Sequence, residues 1–301
     1  MTAHQNAPPK IQKKLMTLAL GLLLGVPGAA RADVGFKFTT IDVPGSTRTA
    51  ANANSSNAIA GEYDDLSGAT HGFILIASSY RTIDVRPPQS YTAINGINFA
   101  GQLAGTYIDR SGGFHAFFSD KGVAFTTLTP PRSVRSQGGF INSQGQVVGT
   151  YRSPDNKRHG FLWSSGTFIN TTINVPGDDP VLGTVAFGIN DLGQIVGDYV
   201  EATPPNKRHG FLLSQGTYTT LDPPGSSLTV AEGINNGGVI VGVYFDGNNQ
   251  HGFVLSNGVY TKIDVPGSTA TAINSINAQG EIVGSYDDKN GTHGFVGAPA
   301  Q

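Results

Sequence analysis

Six of the seven histidines stand in one recurring setting. His71, His115, His159, His209, His251 and His293 are each followed by Gly or Ala and then Phe. The intervals between them are 44, 44, 50, 42 and 42 residues. A period of that length marks one supersecondary unit used repeatedly, each copy burying its apolar face against its neighbours.

No segment carries a sustained helical apolar period. Short runs of Val, Ile, Thr, Tyr and Phe lie between turn residues, drawn from 41 Gly and 17 Pro. Such runs are expected to be strands. The unit is clearest from Ala186 to Gly225. It predicts strands over 186–190, 194–199, 209–214 and 217–222, with turns at Asn190–Gly193 and Gln215-Gly216 and an end at Pro223-Pro224-Gly225. The first turn recurs as Asn-x-x-Gly, with Gly101, Gly145, Gly193, Gly238 and Gly280 at its last position. The first unit has Asn57 there, which fits a position of positive φ. The second strand repeats Gly-x-Tyr, from Gly61/Tyr63 to Gly284/Tyr286. Glycine inside a strand implies close approach of another element, here expected to be an aromatic ring from the adjacent unit.

Four antiparallel strands per unit suit a propeller blade. The chain ends decide how the blades join. The segment 36–43 reads as a fourth strand with no first three before it, and 293–296 as a third strand with no fourth after it. The N-terminal strand can therefore complete the last blade. The expectation is an all-β, six-bladed β-propeller with four antiparallel strands per blade, closed by that strand so that no long edge stays open.

The units resemble the bacterial HAF-family extracellular repeats, named for His-Ala-Phe. That triplet is literal at His115-Ala116-Phe117, and five units carry His-Gly-Phe instead. The resemblance runs from about Phe36 to Gly297. It implies secretion and a repeat fold, and it supplies neither catalytic residues nor a ligand.

Residues 1–32 have the pattern of a secretory signal peptide. Lys10, Lys13 and Lys14 precede an apolar stretch from Leu15 to Val26, and Ala30-Arg31-Ala32 is a small-x-small cleavage site. Residues 33–301 are then the propeller domain, placed in the periplasm or outside the cell. No later stretch approaches the roughly 20 apolar residues of a membrane helix. The leader carries four basic residues and no acidic one, so its removal takes the formal net charge from −2 to −6. That argues against a nucleic-acid partner, which needs a basic face. Cysteine is absent, which removes disulfide and thiol chemistry.

The third and fourth strands form a hairpin whose turn fixes register. Counting outward from Asn257-Gly258 sets His251 opposite Asp264. The same count sets His209 opposite Asp222 and His71 opposite Asp84, and ring closure sets His293 opposite Asp42. Thr129 and Asn174 replace Asp in the other two units, whose hairpins are longer. A cross-strand His–Asp pair beside a Tyr makes a structural clasp that satisfies buried polar groups. Three other roles stand beside it: a metal site, His–Asp catalysis, or repeated ligand contact. Blades set sheets about 10 Å apart, too far for histidines of different blades to share a metal at about 2 Å. Catalysis needs one site, whereas the motif occurs six times. Tyr-x-Asp/Glu recurs in five units, at Asp65, Asp109, Glu201, Asp246 and Asp288. Those acids read as solvated turn carboxylates, with weak calcium binding the alternative, and no cofactor is expected.

A single ligand site must break the repeat. The breaks fall in the third and fourth units. Arg132 and Arg135 interrupt the usual Gly-Ser-Thr region, Asp178 and Asp179 lengthen an inter-blade loop, and Lys157-Arg158 and Lys207-Arg208 precede two of the histidines. A local positive field on an acidic chain attracts an anionic partner, and Arg offers a planar fork for carboxylates. These residues are the ligand-binding candidates. The function expected is a monomeric, non-catalytic binding or scaffold propeller for an anionic glycan or a protein at the cell envelope. The alternative is a secreted polysaccharide lyase or glycoside hydrolase working near the central channel.

Overall fold

The computed structural model describes residues 35–85 and 91–300. The expected leader lies outside them. Twenty-four strands form six four-stranded antiparallel sheets. In chain order β1 is Phe36–Ile41. Blade 1 holds β2 (Arg48–Asn54), β3 (Ile59–Asp64), β4 (Thr70–Ile76) and β5 (Ser79–Ile83). Blade 2 holds β6 (Thr92–Ile97), β7 (Leu103–Ile108), β8 (Phe114–Asp120) and β9 (Ala124–Leu128). Blade 3 holds β10 (Arg135–Ile141), β11 (Val147–Arg152), β12 (Arg158–Ser164) and β13 (Thr167–Ile173). Blade 4 holds β14 (Thr184–Ile189), β15 (Ile195–Val200), β16 (Arg208–Ser214) and β17 (Thr217–Leu221). Blade 5 holds β18 (Leu228–Ile234), β19 (Ile240–Asp246), β20 (Asn249–Ser256) and β21 (Val259–Ile263). Blade 6 holds β22 (Ala270–Ile276), β23 (Ile282–Asp288) and β24 (Gly291–Pro299), and β1 completes it.

The protein is a six-bladed β-propeller. Its ring closes where β1 pairs antiparallel with β24, from Phe36 opposite Pro299 to Ile41 opposite Gly294. Each first strand contacts the first strands of both neighbouring blades, β22 meeting β2, so these six strands surround the central channel.

The core follows the repeat. The Phe of each His-x-Phe triplet is fully buried: Phe73, Phe117, Phe161, Phe211, Phe253 and Phe295 are all 0% exposed. The Gly-x-Tyr glycine sits directly opposite it, as Gly61 does Phe73. A Cβ at Gly61 would meet the Ala50 carbonyl and come within 2.9 Å of the Phe73 ring. The crowding ring therefore belongs to the same blade and not to the adjacent one. The neighbouring blade instead presses on the glycine of His-Gly-Phe, where a Cβ at Gly72 would lie 3.0 Å from Ile94. The unit with Ala116 in that place is adjusted. Its neighbour carries Ser136 where the others have Thr, and the Ser136 hydroxyl accepts the Ala116 N–H at 3.0 Å. The only Trp, Trp163, is buried against Phe118 at 5.0 Å between ring centroids.

The turn after each first strand differs in one unit. Gly101, Gly145, Gly193, Gly238 and Gly280 have φ between 73° and 80°. Asn57 is not in the left-handed region. Ser55 N–H donates to the Ala58 carbonyl, whereas Asn98 N–H reaches one residue further, to Gln102. The turn in blade 1 is one residue shorter and needs no left-handed position there.

Candidate functional site

The His–Asp clasps frame the surface around them. His71 Nδ1 lies 3.0 Å from Asp84, His209 Nδ1 2.6 Å from Asp222, His251 Nδ1 2.9 Å from Asp264, and His293 Nδ1 2.8 Å from Asp42. Every one of the six rings packs on the Tyr opposite it, with centroids 5.1–5.5 Å apart. In five blades the Tyr hydroxyl also reaches the fourth strand, as Tyr63 does Thr82 at 2.9 Å. Three strands are thus tied in each blade.

The Tyr-x-Asp/Glu carboxylates face the other ring nitrogen. Nε2 of His71 is 3.3 Å from Asp65, that of His115 2.7 Å from Asp109, and that of His293 3.3 Å from Asp288. In His251 and His209 the corresponding distances are 3.5 Å to Asp246 and 3.7 Å to Glu201. Asp65 Oδ1 also accepts the Ser67 and Ala69 amides and the Ser67 hydroxyl. These bonds hold Asp65 well below the usual carboxylate range. Burial opposes protonation of His71, but its bonds to Asp84 and Asp65 outweigh it and raise its pKa. His293 is raised chiefly by its bond to Asp42. His71 sits between two hydrogen-bond acceptors, which an imidazolium satisfies on both sides, whereas His293 bonds to Asp42 alone, with Asp288 3.3 Å from its Nε2. Among the described residues, no group of three His, Asp or Glu side chains is arranged to hold a metal ion.

Blade 3 departs from this pattern. Its histidine, His159, meets Asn174 at 3.0 Å and the Ser153 hydroxyl at 3.5 Å, and neither partner is charged. The same blade carries three arginines in register. Arg135 on β10 is opposite Arg152 on β11, and Arg152 is opposite Arg158 on β12. Residues directly opposite one another in an antiparallel pair project on the same face. The three line one cavity of about 210 Å³ together with Phe114, Gln137 and Thr150. Among the described residues, no carboxylate lies at ion-pair distance from any of them.

Arg152 is only 9% exposed. Its Nη1 donates to the carbonyls of Asn156 and Val181 at 2.7 and 3.3 Å, and its buried Nε has no hydrogen-bond partner among the described residues. Burial and the neighbouring Arg135 lower its pKa. Burial and the charges of Arg152, Arg208 and Arg135 lower that of Arg158, against the pull of Asp198. The row is a concentrated positive charge that an incoming anion relieves.

The other candidates are placed differently. Lys157 pairs with Asp155 at 3.1 Å, Lys207 lies 3.8 Å from Asp222, and Arg208 is 3.3 Å from the buried Asp198. Arg132 is exposed and takes the inter-blade turn position that is Gly45, Gly177, Gly225 and Gly267 elsewhere, at φ 62°. That conformation disfavours a side chain. Asp178 accepts the Thr184 hydroxyl at 2.6 Å, and burial raises its pKa. Asp179 accepts the amides of Val181 and Leu182 at 2.9 and 2.7 Å. Both acids organise their own loop. Arg152 escaped the sequence analysis because it lies inside a strand. Aligning the units on their Tyr exposes it, since the next residue is Asp64, Ile108, Arg152, Val200, Phe245 and Asp287 in turn.

The arginine cavity adjoins the central channel. A cavity of about 280 Å³ there shares Gln137 and Thr150 with it. Its lining includes Glu62, Tyr91, Phe187 and Glu232. Glu62 is neutralised, with Arg48 at 2.6 Å and the Tyr91 hydroxyl at 3.1 Å. Burial pushes the Glu232 carboxyl up to about 8, with Asp198 adding to the rise and Arg208 opposing it. Burial likewise lifts Asp198 to about 6 against the pull of Arg208 and Arg158. Among the described residues, no helix is long and apolar enough to cross a membrane.

No protein-family model matches the chain, and no curated protein matches it. Solved structures do. A fucose-recognising lectin from the fungus Aleuria aurantia, described as a six-bladed β-propeller, aligns with a TM-score of 0.51 at 12% identity, over 86% of this chain and 93% of the lectin. A mutant of AofleA from Arthrobotrys oligospora aligns at 0.53 and 11% identity, over 87% and 86%. The propeller domain of the Trilobed protease from Pyrococcus furiosus, described as having an open velcro topology, aligns at 0.51 and 8% identity, over 84% and 96%. At these identities the likeness is one of fold alone.

Proposed function

We propose that this chain is an exported, non-catalytic binding propeller that takes an anionic glycan at the arginine row of blade 3. The observation that carries the proposal is the register of Arg135, Arg152 and Arg158 in one cavity. Like charges directly opposite on a sheet destabilise it. Blade 1 uses the same position without that penalty, because Arg48 there meets Glu62 and Asp64. A fold that keeps three guanidiniums together, with a buried Nε unpaired, is organised for a planar anion such as a carboxylate. The lectin likeness supports a sugar as the carrier of that anion, as an analogy of architecture. The polar lining of Gln137 and Thr150 suits hydroxyl groups.

The test is calorimetric titration with glucuronate and with glucose at two salt concentrations. Glucuronate is expected to bind and glucose is not, and the affinity falls as salt rises. The double variant Arg135→Gln/Arg158→Gln weakens glucuronate by about tenfold or more, the usual loss for charged hydrogen bonds. Equal affinity for the two sugars, or an unaffected double variant, would refute the proposal.

A further inference from the structure

The wall of the central channel is built from one residue per blade, at the point where each first strand bulges. These residues are Asn52, Asn95, Gly139, Phe187, Glu232 and Asn274, and all six line the channel cavity. From blade 6 through blade 2 the amides stitch neighbouring blades together. Asn274 donates to the Ala51 carbonyl at 3.0 Å, Asn52 to the Ile94 carbonyl at 3.2 Å, and Asn95 to the Gly138 carbonyl at 2.7 Å. Blades 3 to 5 abandon that device. A half-buried Phe187 and a Glu232 carboxyl stand there instead. Phe140 adds a second ring to the lining, at a position where the other blades have Ala, Gly or Ser.

One wall of the cavity is therefore amide and the other is aromatic, with a carboxyl beside the rings. This combination matches a pyranose, whose C–H face packs on aromatic rings while its hydroxyls bond to amides and carboxyls. Charge narrows the choice. Two carboxyl side chains, Glu62 and Glu232, already line this cavity, and an acidic sugar would add a third beside them. Glu232, held protonated, both donates and accepts without presenting charge. Gln137 and Thr150 belong to both cavities, so a ligand in the channel mouth adjoins a ligand on the arginines.

We infer that the channel mouth seats an uncharged pyranose joined directly to the acidic sugar held by the arginine row, so that the preferred glycan places neutral and acidic residues side by side. This rests on the proposed arginine site and extends it by one sugar.

The experiment compares three probes by calorimetry on the whole protein: glucuronate, a glucuronate–glucose disaccharide in both linkage orders, and a glucuronate–glucuronate disaccharide. One order of the mixed disaccharide should bind about tenfold more tightly than glucuronate, a gain of the size that one aromatic stack with its hydrogen bonds supplies. The diuronate should show no such gain. Phe187→Ala should remove most of the gain and leave glucuronate itself unchanged, whereas Arg152→Gln should weaken every probe. A mixed disaccharide no tighter than glucuronate, a gain that survives Phe187→Ala, or an equal gain for the diuronate overturns the channel subsite while leaving the arginine site standing. Failure of all probes to bind overturns both.

Discussion

Arg135 and Arg152 face each other directly across β10 and β11, at the positions where blade 1 pairs Arg48 with Asp64 at 3.6 Å. The same geometry gives an ion pair in one blade and a repulsion in another. The exposed Arg135 side chain has no hydrogen bond or ion pair in its favour among the described residues. Arg135→Gln should therefore stabilise the fold by about 0.5 kcal/mol, the scale of a cross-strand like-charge pair, while lowering affinity for glucuronate. Urea denaturation and titration on the same preparation read both effects. A variant that is destabilised or binds unchanged contradicts the assignment.

The clasps should behave alike where their chemistry is alike. His209→Ala and His251→Ala each remove a charged cross-strand bond and leave Asp222 or Asp264 without it, so each should cost about 1–3 kcal/mol. His159 meets only Asn174 and Ser153, and its loss should cost less, about 1 kcal/mol or under. Denaturation midpoints of the three variants check the order. Selective loss of sugar binding at unchanged stability in His209→Ala or His251→Ala would assign those rings to a ligand instead.

Glu232 should make stability depend on pH. Its folded pKa of about 8 lies above the ordinary 4.5, so the fold holds its proton more tightly than the unfolded chain does. That contribution is full below the unfolded pKa and is lost as pH rises through the folded one. Gln cannot ionise, so Glu232→Gln should gain on the parent progressively between about pH 5 and pH 9, by up to about 5 kcal/mol. Asp198, lifted to about 6, shifts in the same direction but completes its change earlier. Denaturation midpoints of parent and variant across that range decide it, and a constant difference removes the argument.

Ring closure makes a separate prediction. Removing β1 leaves β24 unpaired on one side and exposes Phe295, which packs against Phe38 at 5.5 Å. The truncated chain should melt at lower temperature and self-associate through the open strand. Unchanged melting together with monomeric sedimentation would mean that closure contributes nothing.

The architecture was legible because its determinants are local and repeated six times. Turn glycines, strand-length apolar runs and the His-x-Phe triplet recur with one period, and the unmatched strands at the two ends specified how the ring shuts. Hairpin counting placed Asp84, Asp222 and Asp264 opposite their histidines because a two-residue turn leaves no freedom of register, as Ser256 opposite Val259 shows, and ring closure placed Asp42 opposite His293. Two features were hidden for physical reasons. Arg152 joins Arg135 and Arg158 only once three strands lie in register, since it stands 17 positions along the chain from Arg135. Phe187 and Glu232 sit at β-bulges, where pairing shifts between Ala186 and Gly188 and between Ala231 and Gly233. A bulge breaks the alternation of faces from which inward and outward residues are counted. The clustered Lys157, Lys207 and Arg208 each lie near a carboxylate, Lys157 by Asp155 in its own loop, Lys207 by Asp222 beyond β17 and Arg208 by Asp198 on β15.

The pairing of β1 with β24 also sets a clock. Phe36 must wait for Pro299, which is the longest delay the described chain allows between making a strand and giving it a partner. Five blades are assembled from neighbouring segments and can form in the order of synthesis. The sixth joins β1 to β24, the two strands furthest apart among the described residues. Blade 6 therefore cannot be completed until β24 exists, and a chain interrupted before β24 carries β1 with nowhere to go.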